Sequence, residues 1–192
     1  MQETRPVPFI LAITGASGAV FGVRALEMLR EAGECVHLLI SKAGERTLVE
    51  ETGRSVASVR DMADVVYPTA DIGAAIASGS FKTKGMLIAP ASIKTCGEIA
   101  ACITSTLVTR AADVTLKERR KLVLMVRETP LHTGHLRMLT QLSEVGAIIA
   151  PPVPAFYSQP TSLSDMVDQT AARMLGLFDI EVPSLRRWKA GE

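Results

Sequence analysis

Two charged side chains, Arg127 and Glu128, come directly after an apolar run, residues 122–126, that is typical of a buried strand. Open α/β sheets bind their ligands at the carboxyl ends of their strands. An arginine at that position can hold an anion such as a phosphate through its N–H groups. The alternative is a solvent-exposed arginine without a ligand, and for this pair at a strand end the ligand-binding interpretation is favoured.

A second set of cations lies just upstream, on a segment with helical spacing. Arg110 and Lys117 are seven positions apart, so they share one helix face, with Asp113 between them. These side chains can form a surface ion-pair ladder or contribute cations to a binding site. Exposed pairs at this spacing contribute only ~0.3–0.5 kcal/mol each. For the helix alone, the ion-pair ladder is therefore the favoured interpretation.

Two loops rich in small and hydroxyl-bearing residues follow apolar runs and precede helical patterns. In residues 14–19, Thr-Gly-Ala-Ser-Gly-Ala, the glycines permit a tight turn, and free backbone N–H groups at a helix start can face an anion. In residues 90–95, Pro-Ala-Ser-Ile-Lys-Thr, Ser92 can cap a helix and can bind a phosphate together with Thr95. The first loop lacks the Gly-x-Gly-x-x-Gly pattern of dinucleotide-binding proteins. A plain tight turn and plain helix capping are the alternatives for the two loops.

Tyr157 lies in an irregular segment, residues 150–160, that contains four prolines. Proline fixes φ, so the segment is stiff and holds the tyrosine rigidly. Aromatic residues make up only 4% of the chain, which makes generic core filling a weaker explanation for this one. Its ring can face a developing cation and its hydroxyl can bind a phosphate. The alternative is a tyrosine in the core or in an interface.

The elements that must position these residues alternate along the chain. Short apolar runs predict buried strands at residues 8–14, 36–41, 85–90, 122–127 and 147–151. Longer amphipathic segments predict helices at residues 18–32, 42–52, 92–103, 105–119, 135–145 and 162–178, the last with Ser162 at its cap and Asp165 three residues on. This alternation predicts an α/β fold with a doubly wound parallel sheet, Rossmann- or flavodoxin-like. We expect a single domain over residues 1–192, with a C-terminal helix and tail from about residue 162.

Composition restricts the class of protein. The chain has 192 residues, of which 47% are hydrophobic and 21% charged, as in one soluble globular domain. The net charge of +1 and the dispersed basic residues indicate neither a nucleic acid nor a membrane as partner. The apolar runs are too short to span a bilayer, and the N-terminal residues lack the layout of an export signal, so we expect a cytoplasmic protein.

The cysteines and histidines indicate no metal site and no disulfides. Cys35, Cys96 and Cys102 are odd in number and form no Cys-x-x-Cys pair, so we predict core-filling thiols. His132 and His135 lack accompanying carboxylates at ligand positions, so no metal site is expected.

Five segments, in this order, resemble the UbiX family of flavin prenyltransferases, nearly from end to end of the chain. They are residues 15–19 (Gly-Ala-Ser-Gly-Ala), 77–81 (Ala-Ser-Gly-Ser-Phe), 90–95, 110–130 and 154–157 (Pro-Ala-Phe-Tyr). The resemblance implies an enzyme that joins the dimethylallyl group of dimethylallyl monophosphate to N5 and C6 of reduced FMN, giving prenylated FMN. The aspartate-rich motif that holds Mg²⁺ in most prenyltransferases does not occur in this sequence, so the implied reaction is metal-independent and depends on protein cations.

The resemblance also assigns roles to individual residues. FMN would be bound by Gly15, Ala16, Ser17, Ser41, Ser92, Ile93, Lys94, Thr95 and Arg127. Dimethylallyl phosphate would be bound by Tyr157, Arg173 and Arg127, with Arg110 and Lys117 from a neighbouring subunit. The candidate catalytic residues are Ser17, Glu51, Glu128 and Tyr157, the two glutamates as acceptors of the proton that leaves C6. For Glu51 a structural role is an equal alternative.

The implied partners are a UbiD-family decarboxylase, which would receive the product in ubiquinone synthesis or aromatic acid breakdown, and further copies of the chain in a homo-oligomer, a dodecamer by resemblance. Two other functions stay open. One is an FMN-dependent cysteine decarboxylase of related fold, although the catalytic histidine and the Pro-x-Met-Asn motif of such enzymes cannot be placed in this sequence. The other is a non-catalytic FMN carrier, which would need the flavin loops but no second anion pocket.

Overall fold

A parallel sheet of six strands forms the centre of the molecule in the computed structural model, which describes residues 6–188. Residues 1–5 and 189–192 lie outside the described part. The N-terminal segment expected to lack an export signal and the predicted domain 1–192 both include such residues. The strands are β1 (Phe9–Ile13), β2 (Val36–Ile40), β3 (Val65–Tyr67), β4 (Met86–Ala91), β5 (Leu122–Val126) and β6 (Ala147–Ile149). Their order is β3-β2-β1-β4-β5-β6, with every neighbouring pair parallel. The order reverses between β1 and β4, where sheets of this topology bind ligands.

Helices cover both faces of this sheet. They are α1 (Ala19–Glu31), α2 (Lys42–Thr52), α3 (Val56–Arg60), α4 (Ile93–Ala100), α5 (Leu107–Lys117), α6 (Thr133–Glu144) and α7 (Leu163–Gly176), with short 3-10 turns at Ala75–Ala77 and Phe156–Ser158. The sheet separates two apolar clusters, one containing residues of α1 and α7 and the other residues of α4 and α5. Strands buried on both faces explain why the sequence shows continuous apolar runs. The predicted doubly wound α/β fold is confirmed.

The sequence did not reveal β3 and α3. Strand β3 has three half-buried residues at the edge of the sheet and pairs with β2 alone, through Val65 opposite His37. A strand of that length is too short for a hydrophobic period to emerge. All of the predicted strands and helices are present, with ends shifted by a few residues.

The prediction that all three cysteines fill the core was wrong for two of them. Cys96 is fully buried, and burial raises the pKa of its thiol to about 12. Cys35 is only half-buried and Cys102 is exposed. Helix α4 ends at Ala100 rather than at residue 103, so Cys102 lies in a turn with left-handed backbone (φ 56°) instead of on a helix face.

The helices of residues 6–188 are all too short or too polar to cross a lipid bilayer.

Helix α1 lies unusually close to the sheet at Gly22, which predicts a sensitive packing position. A Cβ at Gly22 would overlap the carbonyl oxygen of Ala89 in β4 and would lie 2.8 Å from Cγ1 of Ile13. Gly22→Ala should therefore lower the free energy of unfolding by about 1–3 kcal/mol, the usual cost of overpacking. Urea denaturation followed by circular dichroism measures this change.

Gly97 in α4 provides the matched control, since a Cβ there would meet only the sulfur of Met138, at 3.7 Å. Gly97→Ala should raise the free energy of unfolding by up to about 1 kcal/mol, because alanine loses less backbone entropy in a helix. If both variants are stabilised equally, the close approach of α1 to the sheet is wrong.

Candidate active site

Three helix N-termini meet at one cavity by the carboxyl edge of the sheet. Helices α2, α4 and α5 are capped by Ser41, Ser92 and Thr106, whose hydroxyl oxygens accept hydrogen bonds from the backbone N–H three residues on, at 3.0, 3.3 and 3.3 Å. All three caps line a cavity of about 490 Å³. Each helix N-terminus carries roughly half a positive charge and unpaired N–H groups. The cavity is therefore suited to an anion.

Strand ends and lysines complete this cavity, which we call the helix-terminus cavity; its other lining residues are Thr14, Gly15, Lys42, Ala43, Thr69, Lys94, Thr95, Glu98 and Val108. The buried hydroxyl of Thr14 donates to the carbonyl oxygen of Pro90 (2.7 Å) and accepts from the backbone N–H of Ser92 (2.9 Å). These bonds join the two loops that the sequence singled out. Lys94 is exposed and pairs with Glu98 at 2.9 Å.

Most of the predicted FMN-binding residues lie at this cavity. Gly15, Ser41, Ser92, Lys94 and Thr95 line it, and the hydroxyl oxygens of Ser92 and Thr95 are 3.0 Å apart. The predicted residues Ala16, Ser17, Ile93 and Arg127 are not among its lining residues.

Seven of the twelve lining residues were given no role from the sequence, among them the threonines Thr14, Thr69 and Thr106. A signal existed for Thr106, because Thr109 follows three residues later and the two form a capping box. The carbonyl of Thr69 accepts from the backbone N–H of Leu107 at 2.7 Å. This contact joins segments that are far apart in the sequence, so no local pattern could predict it.

Glu51 and Ser17 lie together at the start of α1. Helix α1 begins after Gly18, which has left-handed backbone (φ 100°) and no capping side chain of its own. One carboxylate oxygen of Glu51, at the end of α2, accepts from the backbone N–H groups of Gly18 and Ala19, both at 2.8 Å. Glu51 thus caps α1 from another helix, next to the exposed hydroxyl-bearing Ser17. This position agrees with the structural alternative for Glu51, and a proton-accepting role stays a prediction.

Tyr157 and Arg173 line a second cavity, of about 230 Å³, which we call the tyrosine cavity; its other lining residues are Val153, Ala155, Gln169, Thr170 and Met174. Tyr157 lies in the 3-10 turn and is 46% exposed. Arg173 is exposed on α7. A guanidinium and a phenol hydroxyl at one apolar-walled cavity can bind a phosphate ester and face its organic group.

Arg127 and Glu128 follow β5 at the carboxyl edge of the sheet, as predicted. The backbone N–H of Arg127 donates to the carbonyl of Ala91 at 3.2 Å, and both side chains are exposed. One carboxylate oxygen of Glu128 accepts from the backbone N–H of Thr129 at 3.0 Å. The pair therefore lies on the side of the sheet where ligands bind, open to solvent.

Arg110 and Lys117 line neither of the two cavities. Arg110 donates to the carbonyl of Ala77 (3.2 Å) and pairs with Asp113 (2.9 Å). Lys117 pairs with Glu118 instead of Asp113. Of the predicted ion-pair ladder, only the pair between Arg110 and Asp113 is therefore present. Both cations lie against the 77–79 segment, where a Cβ at Gly79 would be 2.6 Å from Nζ of Lys117. The structure does not bring them to Tyr157 and Arg173 within one chain.

Known proteins match this chain along nearly its whole length. The family model for the class "Flavoprotein" matches residues 1–180. Flavin prenyltransferase UbiX of Escherichia coli K12 is 53% identical over 183 residues, which cover 94% of this chain and 97% of the relative. The crystal structure of AnUbiX (PadA1) in complex with FMN and dimethylallyl pyrophosphate has a TM-score of 0.95 at 43% identity and covers 98% of this chain and 100% of its own. A dodecameric FMN-dependent UbiX-like decarboxylase from E. coli O157:H7 has a TM-score of 0.93 at 45% identity, covering 96% of this chain and 100% of its own.

A doubly wound sheet with helix N-termini at its switch point and a match along nearly the whole chain define a flavoprotein. Within that class, the chain belongs to the UbiX family of flavin prenyltransferases.

Proposed function

We propose that the protein joins the dimethylallyl group of dimethylallyl monophosphate to N5 and C6 of reduced FMN. The observation that carries the proposal is the presence of two separate anion-type sites, the helix-terminus cavity and the tyrosine cavity. A reaction between a flavin phosphate and a prenyl phosphate needs two such sites, whereas a carrier of FMN needs one. The UbiX relatives, named flavin prenyltransferases, and the AnUbiX complex with FMN and dimethylallyl pyrophosphate support a flavin and a dimethylallyl phosphate ester as the two ligands.

The helix-terminus cavity fits the phosphate of FMN. The three helix N-termini supply N–H groups and positive potential, and the hydroxyl groups of Ser41, Ser92 and Thr95 supply further hydrogen bonds. Bound reduced FMN supplies the nucleophilic N5 and the C6 that accept the prenyl group. The loop 14–19 follows β1 and Arg127 follows β5, the two strands on either side of β4, and together they would hold the ring system at the switch point.

The tyrosine cavity fits the prenyl phosphate. The bond between the allylic carbon and the phosphate oxygen breaks, its electron pair leaves with the phosphate, and the carbon becomes bonded to N5. Arg173, the hydroxyl of Tyr157 and Arg127 would stabilise the departing phosphate, and the Tyr157 ring would face the allylic cation. In this proposal protein cations take the place of a divalent metal. Holding both reactants in attack geometry can supply ~7–11 kcal/mol of the barrier reduction.

N5 loses its proton when it is alkylated, and ring closure needs a proton to add to the prenyl double bond so that its tertiary carbon can bond to C6. C6 then releases its own proton, for which Glu128 is the preferred acceptor, because Glu51 is already bonded to two backbone N–H groups. Ser17, beside Glu51, would help to place the proton.

We propose the assembly and the recipient from the relatives. The UbiX-like structure from E. coli O157:H7 is dodecameric, and a homo-dodecamer would let Arg110 and Lys117 of one subunit reach the tyrosine cavity of another. The recipient of prenylated FMN would be a UbiD-family decarboxylase.

Anaerobic turnover tests the proposal. With reduced FMN and dimethylallyl monophosphate, we expect one inorganic phosphate to be released per flavin consumed, at the same rate with and without EDTA. The diphosphate is run in parallel, because the AnUbiX complex contains the pyrophosphate. FMN binding without phosphate release would favour the carrier, and decarboxylation of a cysteine-containing peptide would favour the cysteine decarboxylase.

A further inference from the structure

Gln169 is a buried polar residue that the proposed reaction does not use. It lies on α7, is 5% exposed, and forms hydrogen bonds through both its amide nitrogen and its amide oxygen to one residue of the C-terminal tail. Its Nε2 donates to the carbonyl of Arg186 at 2.8 Å, and its Oε1 accepts from the backbone N–H of Arg186 at 2.9 Å. A side chain that satisfies both backbone groups of one residue fixes the position of that residue on the helix.

The same tail residue is also tied to the turn that carries Tyr157. The guanidinium of Arg186 donates to the carbonyl of Ser158 at 2.6 Å, and the Ser158 hydroxyl donates to the carbonyl of Ala155 at 2.7 Å. Two residues beyond Arg186, the indole of Trp188 meets the Tyr157 ring edge to face, with centroids 5.5 Å apart and planes at 81°. The tail therefore connects α7 to the tyrosine turn and places Trp188 on the tyrosine.

Gln169 and Arg173 are four residues apart on α7, so they share one face of the helix, and both line the tyrosine cavity. The separation between Arg173 on the helix and Tyr157 on the turn is thus set partly by the tail that bridges them. We propose that Gln169 is a positioning residue: by holding Arg186, it places Trp188 and Tyr157 at the distance from Arg173 that the prenyl phosphate requires. This inference rests on the proposed function of the tyrosine cavity.

Replacing Gln169 by leucine removes both hydrogen bonds at similar side-chain volume. Trp188 is the chain's one tryptophan, so its fluorescence reports directly on whether the tail is docked. In full-length protein before flavin is added, Gln169→Leu should lower the fluorescence anisotropy, because the indole is 67% exposed but held against Tyr157, and release of the tail frees it to rotate. The control is Gln141→Leu on α6, whose Nε2 donates to the carbonyl of Ala100 at 2.9 Å, outside both cavities. It should leave the anisotropy unchanged.

Steady-state kinetics of the FMN-loaded enzyme then separate positioning from folding. Gln169→Leu should raise the KM for dimethylallyl monophosphate ~10-fold, because small displacements of a binding group cost that much or more. FMN affinity should stay within about twofold, because Gln169 is not part of the helix-terminus cavity. A merely structural role would reduce the folded, active fraction and lower kcat at unchanged KM.

Arg186→Ala provides a second variant if Gln169→Leu does not fold, because Arg186 is exposed and its loss removes only the tie to Ser158. It should lower the anisotropy of Trp188 and raise the KM, as Gln169→Leu does. The inference is overturned if the tail is released with no change in KM, or if the anisotropy of Trp188 is unchanged in both variants. If wild-type protein transfers no prenyl group at all, the proposed function fails, whereas the fluorescence result still reports whether Gln169 holds the tail.

Discussion

Arg173→Ala is expected to lower kcat/KM for prenyl transfer by ~10²–10³-fold, the range observed when one charge-stabilising donor is removed from an active site. Arg173 shares the tyrosine cavity with Tyr157 and does not line the helix-terminus cavity. The affinity for FMN should therefore change by no more than about twofold. Stopped-flow phosphate release and flavin titration measure the two quantities separately.

Arg137→Ala is the matched control for this variant. Arg137 is likewise an exposed arginine on a helix, α6, but lines neither cavity, so its loss should leave both quantities unchanged. If Arg173→Ala weakens FMN binding as much as it slows transfer, the two cavities form a single anion site, and the protein does not bind two phosphate-bearing substrates separately.

Ser92→Asp is expected to weaken FMN binding at least ~100-fold, because a carboxylate a few ångströms from the phosphate costs several kcal/mol at an effective dielectric constant near 20. Aspartate caps a helix as well as serine does, so α4 should still form. The substitution therefore replaces the hydroxyl that we propose binds the phosphate by a repelling charge, without removing the cap that Ser92 provides to Thr95. Isothermal titration with FMN measures the loss.

Riboflavin, which lacks the phosphate, should bind the Ser92→Asp variant nearly as well as the wild-type protein. Ser55→Asp, at the cap of α3 outside the helix-terminus cavity, controls for the added charge and should leave FMN affinity unchanged. Equal losses for FMN and riboflavin would mean that the phosphate lies elsewhere.

The α/β architecture could be predicted because its signals are local. The strands Phe9–Ile13, Val36–Ile40 and Leu122–Val126 are buried throughout and therefore read as unbroken apolar runs. The capping box of Ser162 and Asp165 was visible in the sequence and is present at the start of α7. Strand β3 was not predicted, because its three half-buried residues show no hydrophobic pattern of their own and form a strand through pairing with β2.

The candidate site could be predicted in its loops but not in its arrangement. Ser92 and Thr95 were visible as a cap motif, but the meeting of three helix N-termini depends on crossovers that place distant segments together. The two bonds from Glu51 to the start of α1 span more than thirty residues and have no local signal. The hydrogen bonds between Gln169 and Arg186 could not be predicted either, because in the sequence a buried glutamine on an amphipathic helix resembles any other polar helix residue.

The mass of the flavin after anaerobic incubation with reduced FMN and dimethylallyl monophosphate shows whether the prenyl group is transferred. We expect a flavin heavier by one five-carbon prenyl unit, formed by the wild-type protein and in strongly reduced yield by Arg173→Ala. A flavin of unchanged mass, recovered from protein that has bound FMN and the prenyl phosphate, would contradict the proposed transfer.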